Sequence, residues 1–135
     1  MSYSLAILKP DALQRGLIPK IIKILKTNGF KIILIKKLKL NERDIGNLYA
    51  DCRSEIWFKP FQNFMISSES MLIIVECNTD DAVSRLNKLI GNTDPTKNSP
   101  SNIRFMGESI RRNLIHSPKD EESFWHELVY LLKKD

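Results

Sequence analysis

The sequence predicts an α+β fold in which a four-stranded antiparallel sheet, of the ferredoxin-like split βαβ kind, is covered by helices. Four short apolar runs have the length and composition of β-strands. Segments with apolar residues at helical spacing lie between them, in the order β-α-β-α-β-α-loop-β-α and without an internal repeat. The 135 residues are enough for one hydrophobic core, so we expect a single domain over residues 1–135.

Each predicted strand is short, apolar and bounded by residues that break strands. The four are residues 4–9, ended by Pro10, residues 30–40, residues 70–77 and residues 114–116. The second run is rich in Ile and Leu with partial alternation, and the third is apolar almost throughout. These patterns predict one long strand and one buried strand.

The first helix is predicted by its apolar spacing. Apolar side chains recur at i, i+3, i+4 and i+7, at Ile18, Ile21, Ile22 and Leu25. Together with Pro19 in the first turn and Asn28-Gly29 at the end, this spacing predicts an amphipathic helix over residues 17–28.

Further helices are predicted at residues 41–64, in two pieces with Pro60 at a first turn or a break, at residues 80–90 and at residues 118–132. Residues 92–113 form the one long irregular stretch in the sequence. Loops of that length within a compact domain usually have a function.

Composition is that of a soluble globular protein, with 42% hydrophobic and 27% charged residues. No apolar run approaches the roughly 20 residues of a membrane-spanning helix, and no signal peptide is visible. Two cysteines, Cys52 and Cys77, are too few for a disulfide framework, and we expect both to be buried and reduced. We therefore expect a cytoplasmic protein with no membrane partner.

The chain is basic, with 21 Lys and Arg against 16 Asp and Glu, which favours anionic partners. Lys20, Lys23 and Lys26 lie opposite the apolar stripe of the first helix. That placement favours a solvated helix face over a nucleic-acid-binding patch, so nucleic acid is not an expected partner.

Several phosphate-binding and catalytic motifs are absent from the sequence. It contains neither GxxxxGK[ST] nor GxGxxG, no Cys/His cluster with zinc spacing, and no GxSxG. Bound phosphate would therefore be held by side chains and not by a glycine-rich backbone loop.

His116 is the candidate nucleophile, because a neutral imidazole can attack phosphorus. Ser117 is predicted to cap the last helix, with Pro118 in its first position and Asp120 at N3. This register places His116 just ahead of a helix N-terminus, which attracts anions. If the helix packs back over the strand, Glu127 orients one imidazole nitrogen and leaves the other free.

Three side chains elsewhere in the sequence are cationic or polar and can clamp phosphate oxygens. They are Lys9, Arg104 and Thr93, with Mg²⁺ brought by the nucleotide. Tyr49, Trp57 and Phe58 either supply a ring face for a base or belong to the ordinary core. Residue types alone thus predict a phosphate-handling site.

Five elements in chain order resemble the nucleoside diphosphate kinase family. They are LAILKPDALQRGLIPKII at residues 5–22, Tyr49, GNTDP at residues 91–95, Ile103-Arg104 and NLIH at residues 113–116. The resemblance implies a helical hairpin added to the ferredoxin-like fold and homo-oligomers, usually hexamers and otherwise tetramers or dimers. It implies reversible ping-pong transfer of a γ-phosphate, typically from ATP, to a nucleoside diphosphate through a phosphohistidine. Mg²⁺ is then bound mainly through nucleotide phosphates, with no protein metal site.

Carried over residue by residue, the resemblance makes His116 the phosphorylated nucleophile, Glu127 the acid that orients it and Lys9 a catalytic cation. The residues matched to phosphate and ribose binding are Lys9, Tyr49, Thr93, Arg104 and Asn113. Trp57 stands where the family has a phenylalanine that stacks on the base, and the sequence does not decide between Trp57 and Phe58.

Four features of the chain depart from the family pattern. Two of them, at Asn87 and Lys119, together with the acid-free basic stretch of residues 12–41, raise the alternative of a catalytically weak nucleotide- or nucleic-acid-binding member. Asn87 replaces an arginine, for which Lys88 or Arg85 is a possible substitute. Pro118 and Lys119 replace a serine and an acid close to the nucleophile. The loop at residues 105–112 is one residue short, and little chain follows the last helix. We expect these changes to alter the rate or the nucleotide preference.

Overall fold

A computed structural model describes residues 1–134, whose sheet has four strands: β1 (Ser2–Leu8), β2 (Lys31–Leu38), β3 (Ser70–Cys77) and β4 (Ile115–His116). As predicted, neighbouring strands are antiparallel, and their order in the sheet is β2-β3-β1-β4. Crossover helices separate them, so the split βαβ prediction is confirmed.

Helices cover both faces of the sheet. They are α1 (Pro10–Gln14), α2 (Ile18–Thr27), α3 (Glu42–Leu48), α4 (Phe58–Ile66), α5 (Ala82–Ile90) and α6 (Glu121–Lys133). Three short 3₁₀ helices lie at Ala50–Cys52, Pro95–Lys97 and Ile103–Met106. The predicted helical hairpin is α3 and α4, and the long irregular stretch contains two of the 3₁₀ helices.

The central strand β1 separates two apolar layers. Ala6 and Leu8 pack with α2 and α5 on one face, whereas Leu5 and Ile7 pack with α3, α4 and α6 on the other. All four are fully buried, because successive side chains of a strand point to opposite faces. The sequence of this part of the strand is therefore apolar at every position. Lys9, which directly follows the strand, is also buried.

The basic face predicted on α2 is solvated, since Lys20, Lys23 and Lys26 are exposed. Within residues 1–134, no helix combines the length and the apolar character that crossing a membrane requires. Cys77 is buried, but Cys52 is only half-buried, so the prediction of two buried thiols is wrong for Cys52.

Pro10 does not simply end the first strand, as the sequence predicted, but begins α1. Proline suits the first helical position, because it has no N–H to leave unpaired and its φ is already helical. The turn from β1 into α1 fixes the backbone on both sides of Lys9.

The predicted register of the last helix is wrong. Asp120, not Ser117, is the N-cap residue, and its carboxylate accepts the Ser123 N–H at 2.8 Å. Pro118 lies outside the helix, which begins at Glu121. Ser117 and Asp120 are both favourable N-cap residues, and the cap at Asp120 prevails. His116 is therefore not just ahead of the helix N-terminus, and the predicted attraction of anions by that terminus does not apply to it.

Candidate active site

The adjoining ends of β1 and β4 place Lys9 close to His116. Ile7 pairs with His116 across the two strands, and the Lys9 N–H donates to the Leu114 carbonyl at 2.8 Å. Leu114 has a φ of 80°, which a non-glycine residue rarely adopts. Its N–H donates to Oδ2 of buried Asp11 at 3.1 Å, so that carboxylate holds the bend directly before β4.

His116 and Glu127 form a close, nearly buried pair. Nε2 of His116 lies 2.6 Å from Oε1 of Glu127, and the two side chains are 12% and 8% exposed. Because α6 packs over the sheet, it brings its carboxylate to the strand that carries the imidazole. With Nε2 bonded to the carboxylate, Nδ1 is the nitrogen available to a substrate.

Lys9 is a buried cation whose ammonium donates to Oδ1 of Asn113 at 2.7 Å. Burial is the main cause that lowers the pKa of Lys9, to about 7, and the charges of Arg104 and Arg111 act in the same direction. Nearby Asp11 opposes them in part. Anionic oxygens placed beside Lys9 would favour its charged form.

Asn113 connects Lys9 to two points of the long loop. Its Nδ2 donates to the carbonyls of Thr93 and Ile110, each at 2.9 Å. The Thr93 side chain is exposed and has no side-chain hydrogen bond within residues 1–134. The structure therefore brings the Thr93 backbone, and with it the predicted hydroxyl ligand, to the same region as Lys9.

Arg104 is fixed by backbone carbonyls. Its guanidinium donates to Ile115 at 2.8 Å and to Gly91 at 3.2 Å, while its buried Nε has no partner among the described residues. Burial lowers its pKa and also raises that of Tyr49, whose buried hydroxyl likewise lacks a partner in that part of the chain. Two buried polar groups beside Lys9 and His116 thus lack a hydrogen-bond partner among residues 1–134.

Aromatic rings link the predicted site residues. The centroid of the Phe61 ring lies 4.8 Å from that of Tyr49 and 5.8 Å from that of Trp57. Nζ of Lys9 lies 5.3 Å from the same Phe61 centroid. The Tyr49 ring in turn lies 4.9 Å from His116. Phe58 is buried in the core, which leaves half-buried Trp57 as the ring that can face a base.

Asn87 braces the segment that follows His116. Its Nδ2 donates to the Pro118 carbonyl at 2.9 Å, and its Oδ1 accepts the Ser117 hydroxyl. Arg85 does not replace the missing arginine, because its guanidinium donates to Asn28 at 3.2 Å and to Thr79 at 3.1 Å. Asn87 therefore contributes hydrogen bonds but no charge.

Sequence reasoning missed three residues of this site: Asp11, Phe61 and Arg111. Asp11 stands within the KPD motif, two residues after Lys9, and that position was the available signal in the sequence. In the structure, burial raises the pKa of its carboxyl group. Phe61 and Arg111 gave no signal, since their contacts depend on how α4 and the long loop meet.

Comparison with known proteins identifies the family. The family model for nucleoside diphosphate kinase matches residues 2–135. The nucleoside diphosphate kinase of Campylobacter hominis is 34% identical over 131 residues, covering 96% of this chain and 94% of that protein. The enzyme of Helicobacter pylori is 34% identical over 128 residues, covering 94% and 92%.

Solved structures agree with the sequence relatives. Nucleoside diphosphate kinase from Encephalitozoon cuniculi has a TM-score of 0.92 at 28% identity, covering 100% of this chain and 91% of that one. A halophilic enzyme from Halobacterium salinarum, solved in complex with CDP, has a TM-score of 0.90 at 28% identity and covers 99% and 89%. The chain therefore belongs to the nucleoside diphosphate kinase family, whose members are enzymes.

Proposed function

We propose that this member of the family transfers the γ-phosphate of a nucleoside triphosphate, typically ATP, to a nucleoside diphosphate through a phosphohistidine on His116. The observation that supports the proposal most directly is the 2.6 Å pair of His116 and Glu127 beside the buried ammonium of Lys9. It combines an oriented nucleophile with a cation in a partly dry site.

In the first half-reaction, the Nδ1 lone pair of His116 attacks the γ-phosphorus. A P–N bond forms as the bond from phosphorus to the bridging β-phosphate oxygen breaks, and the nucleoside diphosphate leaves with that electron pair. The neutral imidazole keeps its proton on Nε2, which donates a hydrogen bond to the Glu127 carboxylate, and that carboxylate stabilises the positive charge that develops on the ring. The second half-reaction reverses these steps with another diphosphate.

Lys9, Arg104, Thr93 and Asn113 are the proposed phosphate and ribose ligands, with Tyr49 beside the nucleophile. Within the described residues, no group of three or more His, Cys, Asp or Glu side chains is placed to hold a metal ion. We therefore propose that Mg²⁺ binds through the nucleotide phosphates, where it neutralises part of their charge.

Trp57 is the proposed stacking residue for the base. Stacking is worth roughly 1–3 kcal/mol per base and accepts any base, because every base has a π-face. Broad nucleotide use follows from that mode of binding.

The test is brief incubation of the protein with Mg²⁺ and γ-labelled ATP, followed by acid and alkali treatment. We expect label that is acid-labile, alkali-stable, discharged by added diphosphate and lost in His116→Ala. The matched control is His126→Ala, which removes the other histidine of the chain, an exposed residue of α6. Protein that binds ATP without becoming labelled would overturn the proposal in favour of the weakly catalytic binding protein.

We also propose a homo-oligomer, a hexamer or otherwise a tetramer or dimer. Its support is the edge strand β2, which exposes Ile33, Leu34 and Ile35 by 46%, 36% and 47%. An apolar sheet edge is normally covered in a native protein.

The free thiols of Cys52 and Cys77 support our proposal of a cytoplasmic location.

A further inference from the structure

The side chain of Arg111 covers the ring that we propose for base stacking. Its guanidinium carbon lies 3.8 Å from the centroid of the Trp57 ring, the distance of a direct stack. A nucleotide base stacked on that face would occupy the same space. The guanidinium and a base therefore exclude one another from this face of Trp57.

Arg111 has no competing partner that would hold it there. Within residues 1–134 its side chain forms neither an ion pair nor a hydrogen bond, and its Nε is buried without an acceptor. A guanidinium carries five N–H donors, and its planar fork suits phosphate oxygens. The contact with Trp57 leaves that hydrogen-bonding capacity unused.

The backbone of Arg111 is tied to the phosphate site. Its neighbour Ile110 accepts a hydrogen bond from Asn113, whose Oδ1 accepts the Lys9 ammonium. The charge of Arg111 also contributes to the lowered pKa of Lys9, which places the two cations in one electrostatic field. Phosphates bound beside Lys9 thus lie within the influence of Arg111.

We propose that Arg111 is a nucleotide-binding residue that covers Trp57 in the free protein and, when a base displaces it, pairs with the phosphate oxygens of the bound nucleotide. This inference rests on the proposed function, because it takes the ligand to be a nucleotide seated between Trp57 and Lys9. The phosphate group of the ligand, not its base, would depend on Arg111.

The test compares the binding of ADP and of adenosine by calorimetry, without Mg²⁺, to the wild-type protein and three variants. Arg111→Ala is expected to weaken ADP binding about tenfold, the effect of losing a charge-assisted hydrogen bond, and to leave adenosine binding no weaker. Arg111→Lys keeps the charge without the fork and should retain part of the ADP affinity. The matched control is Arg112→Ala, which removes the same charge from an exposed neighbour stacked 4.3 Å from the Phe64 ring. We expect it to change neither affinity by more than about twofold.

Three results would overturn the inference while leaving the proposed function intact. Equal weakening of ADP and adenosine by Arg111→Ala would make the guanidinium a platform for the base. Tighter ADP binding would make it a simple obstruction, and an unchanged ADP affinity would make its contact with Trp57 purely structural. Wild-type protein that binds ADP no better than adenosine would instead overturn the proposed phosphate site and this inference with it.

Discussion

Lys9 should make nucleotide binding sensitive to pH near neutrality. A lysine in water stays charged to about pH 10, but burial and two neighbouring arginines lower the pKa of Lys9 to about 7. The charged form attracts phosphate, whereas the neutral form only donates a hydrogen bond. We expect the affinity for ADP to fall as the pH rises above about 7.

The size and sign of the effect follow from the pKa. The charged fraction of Lys9 in the free protein falls from about nine-tenths at pH 6 to about one-tenth at pH 8. Each further pH unit weakens ADP binding up to about tenfold, until the higher pKa of the phosphate-bound lysine is passed. The same shift acts on folding. Between about pH 7 and pH 10 the unfolded chain binds more protons than the folded chain, so this group makes stability rise with pH.

The assay is a series of calorimetric titrations with ADP between pH 7 and pH 9 in EDTA. The second ionisation of a phosphate ester has a pKa near 6, so about nine-tenths of the ligand is already fully ionised at pH 7 and its charge is nearly constant in this window. Lys9→Met should bind ADP weakly and with little pH dependence. Lys97→Met, which removes an exposed lysine, should keep the wild-type slope. A flat profile for the wild-type protein, or an equal slope in Lys9→Met, would refute the assignment of the titration to Lys9.

Two further predictions concern the carboxylates of the site. Glu127→Gln should reduce the rate of His116 phosphorylation about tenfold in a quenched-flow assay, because a neutral amide replaces a charge-assisted partner at 2.6 Å. The control is Glu121→Gln, which changes an exposed residue of the same helix. An undiminished rate in Glu127→Gln, or an equal loss in the control, would contradict the orienting role of Glu127. Asp11→Ala should lower the free energy of unfolding by about 1–3 kcal/mol in urea titrations, since it leaves the buried Leu114 N–H without its acceptor. An unchanged unfolding midpoint would show that another group accepts the hydrogen bond from that N–H.

The fold was predictable where burial and periodicity act together. The predicted third strand, residues 70–77, has the same bounds as β3, because the strand is largely buried on both faces and contains five consecutive apolar residues, 71–75. The apolar spacing of α2 likewise placed that helix to within one residue at each end. Failure came at helix ends, where two local capping patterns compete. Asp120 and Ser117 are both good caps, and the sequence does not show that Asn87 binds the Ser117 hydroxyl.

The site was predictable as a set of residue types but not as a geometry. Lys9 and His116 stood out because motifs mark them, and the strand pairing of Ile7 with His116 brings them together. Contacts between distant segments carry no such mark. The stack of Arg111 on Trp57 depends on how the long loop meets α4, and the sequence alone gives no sign of this contact.

Two residues of the candidate site, Leu114 and Lys9, occupy positions that are unfavourable in the free protein, and the fold explains how they persist. Leu114 has a left-handed backbone, a conformation that costs about 1–2 kcal/mol, and Lys9 is buried with no carboxylate of the described residues in hydrogen-bond contact. Both residues adjoin the ends of strands that lie between or against apolar layers, and this packing holds the backbone next to each of them. A bound polyphosphate supplies the negative charge that Lys9 lacks. The same burial that destabilises the free site therefore increases the discrimination in favour of a phosphorylated ligand.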